Sequence, residues 1–221
     1  MASTSQYWQP SLFGRGEPSF DAAFPRLRRI PLDGRVYIEH LPRWLSGDIA
    51  LFEHLRSRSQ WRGGKRWMYE REVAVPRMTA GYDDDNRHPV IDAMSDALSS
   101  RYQRPLSAIG LAYYRDGEDS VAWHGDRVEF GAAKASTTPW DAQVVIAIVS
   151  LGEPRRFMLR RAGAGAGAGD DDEPRVSLSL NLGWGDLVVM GPGCQSDYEH
   201  CVPKQAKAGP RISVQFRQRH E

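Results

Sequence analysis

QVVIAIVSLGEPRRFMLR, residues 143–160, holds two short runs that read as strands, 143–151 and 155–160, with LGEP between them as a turn signal. The same rhythm continues on both sides. Strand-like runs at 106–114, 120–124, 175–182, 186–190 and 211–217 are separated by turn signals such as RDGEDS (115–120) and GPG (191–193). Many short strands broken by turn residues predict a sandwich or a barrel. Upstream, Ile49, Phe52 and Leu55 recur at helical spacing within 46–58, with Ser46 or Asp48 as the cap. Ile91, Met94 and Leu98 form one face of a second helix over 88–102, with Pro89 in its first turn. The expected fold is mainly β (α+β): a double-stranded β-helix, or jelly roll, with the N-terminal helices packed on one face.

The chain divides into an irregular arm at 1–34, a helical and substrate-lid region at 35–104, and the jelly-roll core at 105–221, with 35–221 acting as one catalytic domain. The low-complexity stretch RAGAGAGAGDDDEP (161–174) reads as a hairpin loop, because Gly and Ala cannot build a core there and the acidic run is solvated. With 221 residues, 41% of them hydrophobic, the chain can bury a core without staples. Cys194 and Cys201 therefore read as free thiols in a reducing compartment. A formal net charge of +1 gives no bulk nucleic-acid signature, so any such surface must be a local patch. No leader and no membrane-length apolar run is visible, which points to a cytoplasmic protein, expected to be a monomer.

Chemistry enters at AWHGD, residues 122–126. Strand alternation sends His124 and Asp126 to the same side, so an imidazole and a carboxylate aim at one point. Of the other histidines, His40 and His54 fall in the N-terminal region, His88 at the second helix and His220 at the tail. His200 lies between the strand GDLVVM and the last strand, within jelly-roll reach of His124. Two histidines and a carboxylate with open positions form the facial triad of non-haem iron(II) oxygenases. Taken singly, each piece also fits a bland reading: H-x-D pairs are common on surfaces, and a lone histidine is more often simply hydrogen-bonded.

The last strand, RISVQFR (211–217), puts Arg211, Ser213, Gln215 and Arg217 on one face and Ile212, Val214 and Phe216 on the other. Either the polar face meets water, as in many antiparallel sheets, or it looks into the barrel. Buried guanidiniums would then require an anion such as a dicarboxylate.

Taken together, H-x-D, a distant His and an Arg-rich last strand resemble the AlkB family of Fe(II)- and 2-oxoglutarate-dependent dioxygenases. The resemblance runs from VPRMTAGY (75–82) through LAYYRDGEDSVAWHGDRVE (111–129), VSLGEPRRFMLR (149–160) and WGDLVVMGPGCQSDYEHCVPK (184–204) to RISVQFR. Several blocks in order are more specific than one motif. The resemblance implies Fe(II), 2-oxoglutarate and O2 as cofactor and cosubstrates, with His124, Asp126 and His200 as iron ligands. Arg211 would then meet the distal carboxylate of 2-oxoglutarate, Arg217 its metal-chelating end, and Tyr114 the cosubstrate as well. Ala112 and Ser213 stand where relatives carry asparagine, and Ser213 partly replaces it. Val128 stands where relatives carry an acidic residue that reads the base, with Glu129 one position on as a substitute.

The implied reaction couples oxidative decarboxylation of 2-oxoglutarate, giving succinate and CO2, to oxidation of an N-methyl group that leaves as formaldehyde. The implied substrate is alkylated DNA or RNA with a flipped-out base. One stacking partner would be His124 itself, the other Tyr69 or Tyr82 from the lid. RSRSQWRGGKRWMYER (56–71) mixes cations with aromatics, which suits phosphates and unstacked bases. Arg77, Arg160 and Arg161 extend that patch. Two other readings compete: the same oxygenase fold acting on a protein or small molecule, which Val128 favours, and a binding module without redox chemistry.

Overall fold

The computed structural model describes residues 16–68, 71–125, 144–163 and 177–218, with only the backbone described over 65–68 and 71–75. Among these residues fourteen strands and three helices follow one another. They are β1 (Ser19–Phe20), β2 (Arg28–Asp33), β3 (Val36–Leu41), β4 (Leu45–Ser46), α1 (Asp48–Arg58), β5 (Arg62–Met68), β6 (Arg71–Gly81) and α2 (Pro89–Tyr102). There follow β7 (Ala108–Tyr114), β8 (Val121–His124), β9 (Ile146–Gly152), β10 (Arg155–Arg161), β11 (Leu178–Leu182), β12 (Asp186–Met190), α3 (Cys194–Asp197), β13 (Tyr198–Val202) and β14 (Arg211–Arg217).

Two antiparallel sheets face each other. The larger is ordered β2-β3-β12-β9-β14-β7-β6-β5 and the smaller β11-β10-β13-β8. One face of the large sheet carries Val149, Leu187, Val189, Ile212, Val214 and Phe216, and packs on Leu51, Phe52 and Leu55 of α1 and Ile91, Met94 and Leu98 of α2. The opposite face carries Ala112, Tyr114, Ile146, Ile148 and Val188, and packs on Phe157, Leu159, Leu182, Tyr198 and Val202 of the small sheet side. A strand buried on both faces needs no alternation. That is why β9 reads IAIVSLG, with all seven residues buried. The jelly-roll core with both helices on one face is as expected.

Several local expectations change. Neither Ser46 nor Asp48 caps α1: the cap is Gly47 in the left-handed region at φ 71°, with no side-chain bond. Asp48 is the first helical residue, and its carboxylate accepts from the Gly152 amide at 3.2 Å. In α2, His88 is the cap, its Nδ1 accepting from Val90 N at 3.3 Å. The N-terminal arm is not wholly irregular, since β2 pairs with β3. Within the region expected to be helical, β5 and β6 form a hairpin on the edge of the large sheet. His200 stands within a strand, β13, rather than between strands. The Gly-Ala stretch joins β10 to β11, which pair from Arg155↔Leu182 to Leu159↔Leu178, while 164–176 lie outside the described residues. Both cysteines are free and buried. Among the described residues no helix is long and apolar enough to cross a membrane.

Candidate active site

The pairing of β8 with β13 places His124 opposite His200. Their ring centroids lie 4.3 Å apart at 49°. His124 Nδ1 is 2.8 Å from the Ala122 carbonyl. A carbonyl only accepts, so Nδ1 carries the proton and Nε2 keeps the lone pair a metal needs. The Phe157 ring lies 5.5 Å from that of His200 and walls its far side.

Both histidines line a recess of about 400 Å³, counting its open mouth. Its polar wall is the inward face of β14, Arg211, Ser213, Gln215 and Arg217, joined by Tyr114 and Arg77. The two readings of RISVQFR are thereby decided. One face of β14, Ile212, Val214 and Phe216, packs in the core under α1 and α2, and the other, Arg211, Ser213, Gln215 and Arg217, lines the recess instead of the outer surface. Among the described lining residues there are three guanidiniums and no carboxylate.

Arg211 is 2% exposed. Its Nη2 donates to Ser150 Oγ at 2.7 Å, its carbon stands 5.4 Å from the Tyr114 ring centroid, and its buried Nε and Nη1 have no hydrogen-bond partner. Burial lowers its pKa to about 10, which still leaves the group charged at neutral pH. A buried cation with two unspent donors calls for an anion. Arg77 Nη1 donates to the Tyr114 hydroxyl at 3.2 Å, and its own buried Nε is likewise without a partner. Gln215 Nε2 reaches Ser213 Oγ at 3.5 Å. Imidazole lone pairs beside an anion slot suit a metal ion chelated by a small carboxylate ligand. Asp126, the expected third ligand, lies outside the described residues, and among the described ones no three metal-ligating side chains cluster.

Other expected substrate contacts are placed elsewhere. The Tyr82 hydroxyl takes the His88 amide at 2.9 Å and reaches Asp92 at 3.1 Å, beside the start of α2, and Tyr82 does not line the recess. Arg160 pairs with Glu199 at 2.9 Å and stacks on Trp123 at 4.4 Å, while Arg161 pairs with Asp33. Tyr69 and Glu129 lie outside the described residues, as does Val128. The sequence reading passed over Ser150, Phe157 and Arg155. Alternation along RRFMLRR was the available signal: Arg155, Phe157 and Leu159 are its buried positions.

A family model described as the 2OG-Fe(II) oxygenase superfamily matches residues 40–217. The chain belongs to that superfamily. Among similar proteins is alpha-ketoglutarate-dependent dioxygenase alkB homolog 3 of Mus musculus, 29% identical over 156 residues, covering 64% of this chain and 51% of the relative. The Homo sapiens protein of the same name is 26% identical over 158 residues, covering 71% and 49%. The chain thus spans about half the length of the curated relatives it matches. A solved structure described as "The structure of OsALKBH1" is 16% identical with a TM-score of 0.49, covering 85% of this chain and 99% of that one. Membership of the 2OG-Fe(II) oxygenases implies Fe(II), 2-oxoglutarate and O2, which fit the histidine pair and the anion slot of this member.

Proposed function

We propose that the chain is an Fe(II)- and 2-oxoglutarate-dependent dioxygenase that oxidatively demethylates N-alkylated bases in DNA or RNA. The observation that carries the reading is the meeting, in one recess, of the registered pair His124–His200 with a buried, under-bonded Arg211. His124, His200 and Asp126 hold the metal. Arg211 takes the distal carboxylate of 2-oxoglutarate in a charge-assisted pair, with Ser150 steadying its Nη2. Arg217 and the Tyr114 hydroxyl, itself oriented by Arg77, address the rest of the cosubstrate. Val121, Ile146, Ile148, Phe157 and Val202 keep water from the reacting atoms. When bound, iron and 2-oxoglutarate activate O2, one oxygen atom ending in succinate as CO2 leaves and the other on the methyl carbon of the substrate. The resulting N-hydroxymethyl group gives up its hydroxyl proton to solvent as the C–N bond breaks, so that formaldehyde leaves and the bonding pair stays on the ring nitrogen.

The enzyme acts as one catalytic unit over 35–221, as a cytoplasmic monomer, on a base flipped against His124. The support for a nucleic-acid substrate is the resemblance to AlkB proteins together with the cations and aromatics of 56–71. The test supplies Fe(II) and 2-oxoglutarate anaerobically, then air and oligonucleotides carrying 1-methyladenine or 3-methylcytosine, with His124→Ala as control. Methyl loss seen by mass spectrometry and absent from the variant is the expected result. Succinate without methyl loss points instead to a protein or small-molecule substrate, the reading that Val128 favours. Absence of both methyl loss and succinate overturns the oxygenase reading.

A further inference from the structure

The strand that carries His124 is weakly fixed by its own pairing. β8 has four residues, lies on the edge of the small sheet and, among the described residues, pairs only with β13, while the Ser120 amide just before it donates to the Pro76 carbonyl of β6. That ladder has two registered pairs, His200↔His124 and Val202↔Val121, with an irregularity between them. A slip by one residue would turn the imidazole out of the recess. The bond from Ser120 to β6 and the stacking of Arg160 on Trp123 hold part of it from outside the ladder, and neither ties the turn before β8 to the end of β13.

Arg155 is placed to do so. It opens β10, the neighbour of β13 on the side away from β8, and is 1% exposed. Its guanidinium reaches across: Nη1 donates to Asp116 O at 2.6 Å, and Nη2 to Asp119 O at 2.6 Å and Pro203 O at 3.1 Å. The first two carbonyls belong to the turn that leads into β8, and the third directly follows β13. The nearby Asp119 carboxylate is spent on Arg115, which donates from its amide, Nε and Nη2 at 2.8 Å each. The same two segments are zipped further by Gln205 N to Gly117 O at 2.9 Å. At Gly117 a Cβ would stand 1.9 Å from the Gln205 carbonyl oxygen, so only glycine permits the approach.

We propose that Arg155 is a positioning residue for the histidine pair: by bridging the turn before β8 to the connection after β13, it fixes the register that sets His124 opposite His200. A lysine offers one charged point and cannot reach three carbonyls set in different directions, whereas a planar guanidinium can. Coupling of this kind is reciprocal, so a metal bound between the histidines must in turn tighten the clamp.

The inference rests on the metal-binding reading of the histidines, and one titration separates the two. Co(II) is added anaerobically to the unaltered protein, His124→Ala, Arg155→Lys, Arg155→Gln and Leu98→Ala, with visible absorption as the readout. The unaltered protein binds, and the Arg155 variants bind at least tenfold more weakly with a changed spectrum. Leu98→Ala, a core lesion on the opposite face of the large sheet, loses thermal stability and binds as before. Arg155 variants that match the unaltered protein, or weaken no more than Leu98→Ala, overturn the clamp and leave the metal site standing. No binding by the unaltered protein overturns the metal site, and the clamp's role with it. Should both Arg155 variants fail to fold, amide exchange on the unaltered protein decides: Co(II) slows exchange at Gln205, and an unchanged rate there overturns the clamp.

Discussion

Among the described residues two pairs of histidine rings lie close together, His124 with His200 at 4.3 Å and 49°, and His54 with His88 at 4.9 Å and 85°. By separation alone they are nearly alike. Their surroundings differ in kind. His54 Nε2 faces the carbonyls of Asn86 and Arg87 at 3.1 Å, and His88 Nδ1 is spent on capping α2. That pair fastens one helix to the approach of another. In the cavity pair, Nδ1 of His124 is turned to its own strand's backbone, leaving Nε2 as the lone-pair nitrogen beside three guanidiniums. Closeness of two imidazoles carries little information. What carries it is the chemistry their remaining nitrogens can reach.

The comparison breaks most visibly at the rings themselves. His200→Ala cuts succinate formation by more than about a hundredfold, since losing a ligand costs more than losing its outer support. His54→Ala leaves turnover within about twofold and lowers only stability, by roughly 1 kcal/mol for the lost hydrogen bonding. Equal losses in the two variants would erase the distinction. Arg211→Met raises KM for 2-oxoglutarate by about a hundredfold, in line with a charge-assisted pair. Its melting temperature stays level or rises, because an apolar side chain replaces a buried cation. Ser150→Ala, which removes the hydroxyl steadying Arg211 Nη2, raises the same KM by about tenfold with kcat little changed.

The smallest effect belongs to the structural pair and separates it by pH. Burial, with His54 beside it, holds the His88 imidazole below its ordinary pKa. The unfolded chain therefore binds the proton more readily than the folded one. Stability from this group is present above about pH 6.5 and is lost as pH falls through the lowered folded value. His88→Asn keeps a side chain suited to the cap and removes the titration. Urea midpoints measured at about pH 7.5 and 5.5 drop less in the variant than in the unaltered protein. An identical drop would place the pH dependence elsewhere.

Much of this architecture was legible in the residues. Strict alternation in RISVQFR marked β14 with its observed ends, and Ile91, Met94 and Leu98 do form the buried stripe of α2. What alternation leaves open is which medium a polar face meets. Arg211 and Ser213 read the same whether they face water or an anion, and only the layers packed on either face of β14, the helices on one side and the recess on the other, decide. YEHCV was passed over as a strand because glutamate and histidine interrupt its apolar pattern, although burial continues through most of it. RGGKRWM looks like a loop, since glycines and cations are poor strand formers. The neighbouring β6 supplies the pairing that its composition does not. The cap of α1 was missed for a similar reason: a left-handed Gly47 does the work with its backbone and leaves no side-chain signature.

The hairpin of β10 and β11 has a consequence for engineering. Five registered pairs pin its two ends, and β11 is the outermost strand of the small sheet. The cost of closing a connection grows only as the logarithm of its length, so doubling the stretch between Arg161 and Leu178 costs about 0.6 kcal/mol. A fluorescent domain or affinity handle spliced into the Gly-Ala run would be carried at little expense to folding, on a hairpin whose far strand, β11, contributes no residue to the recess.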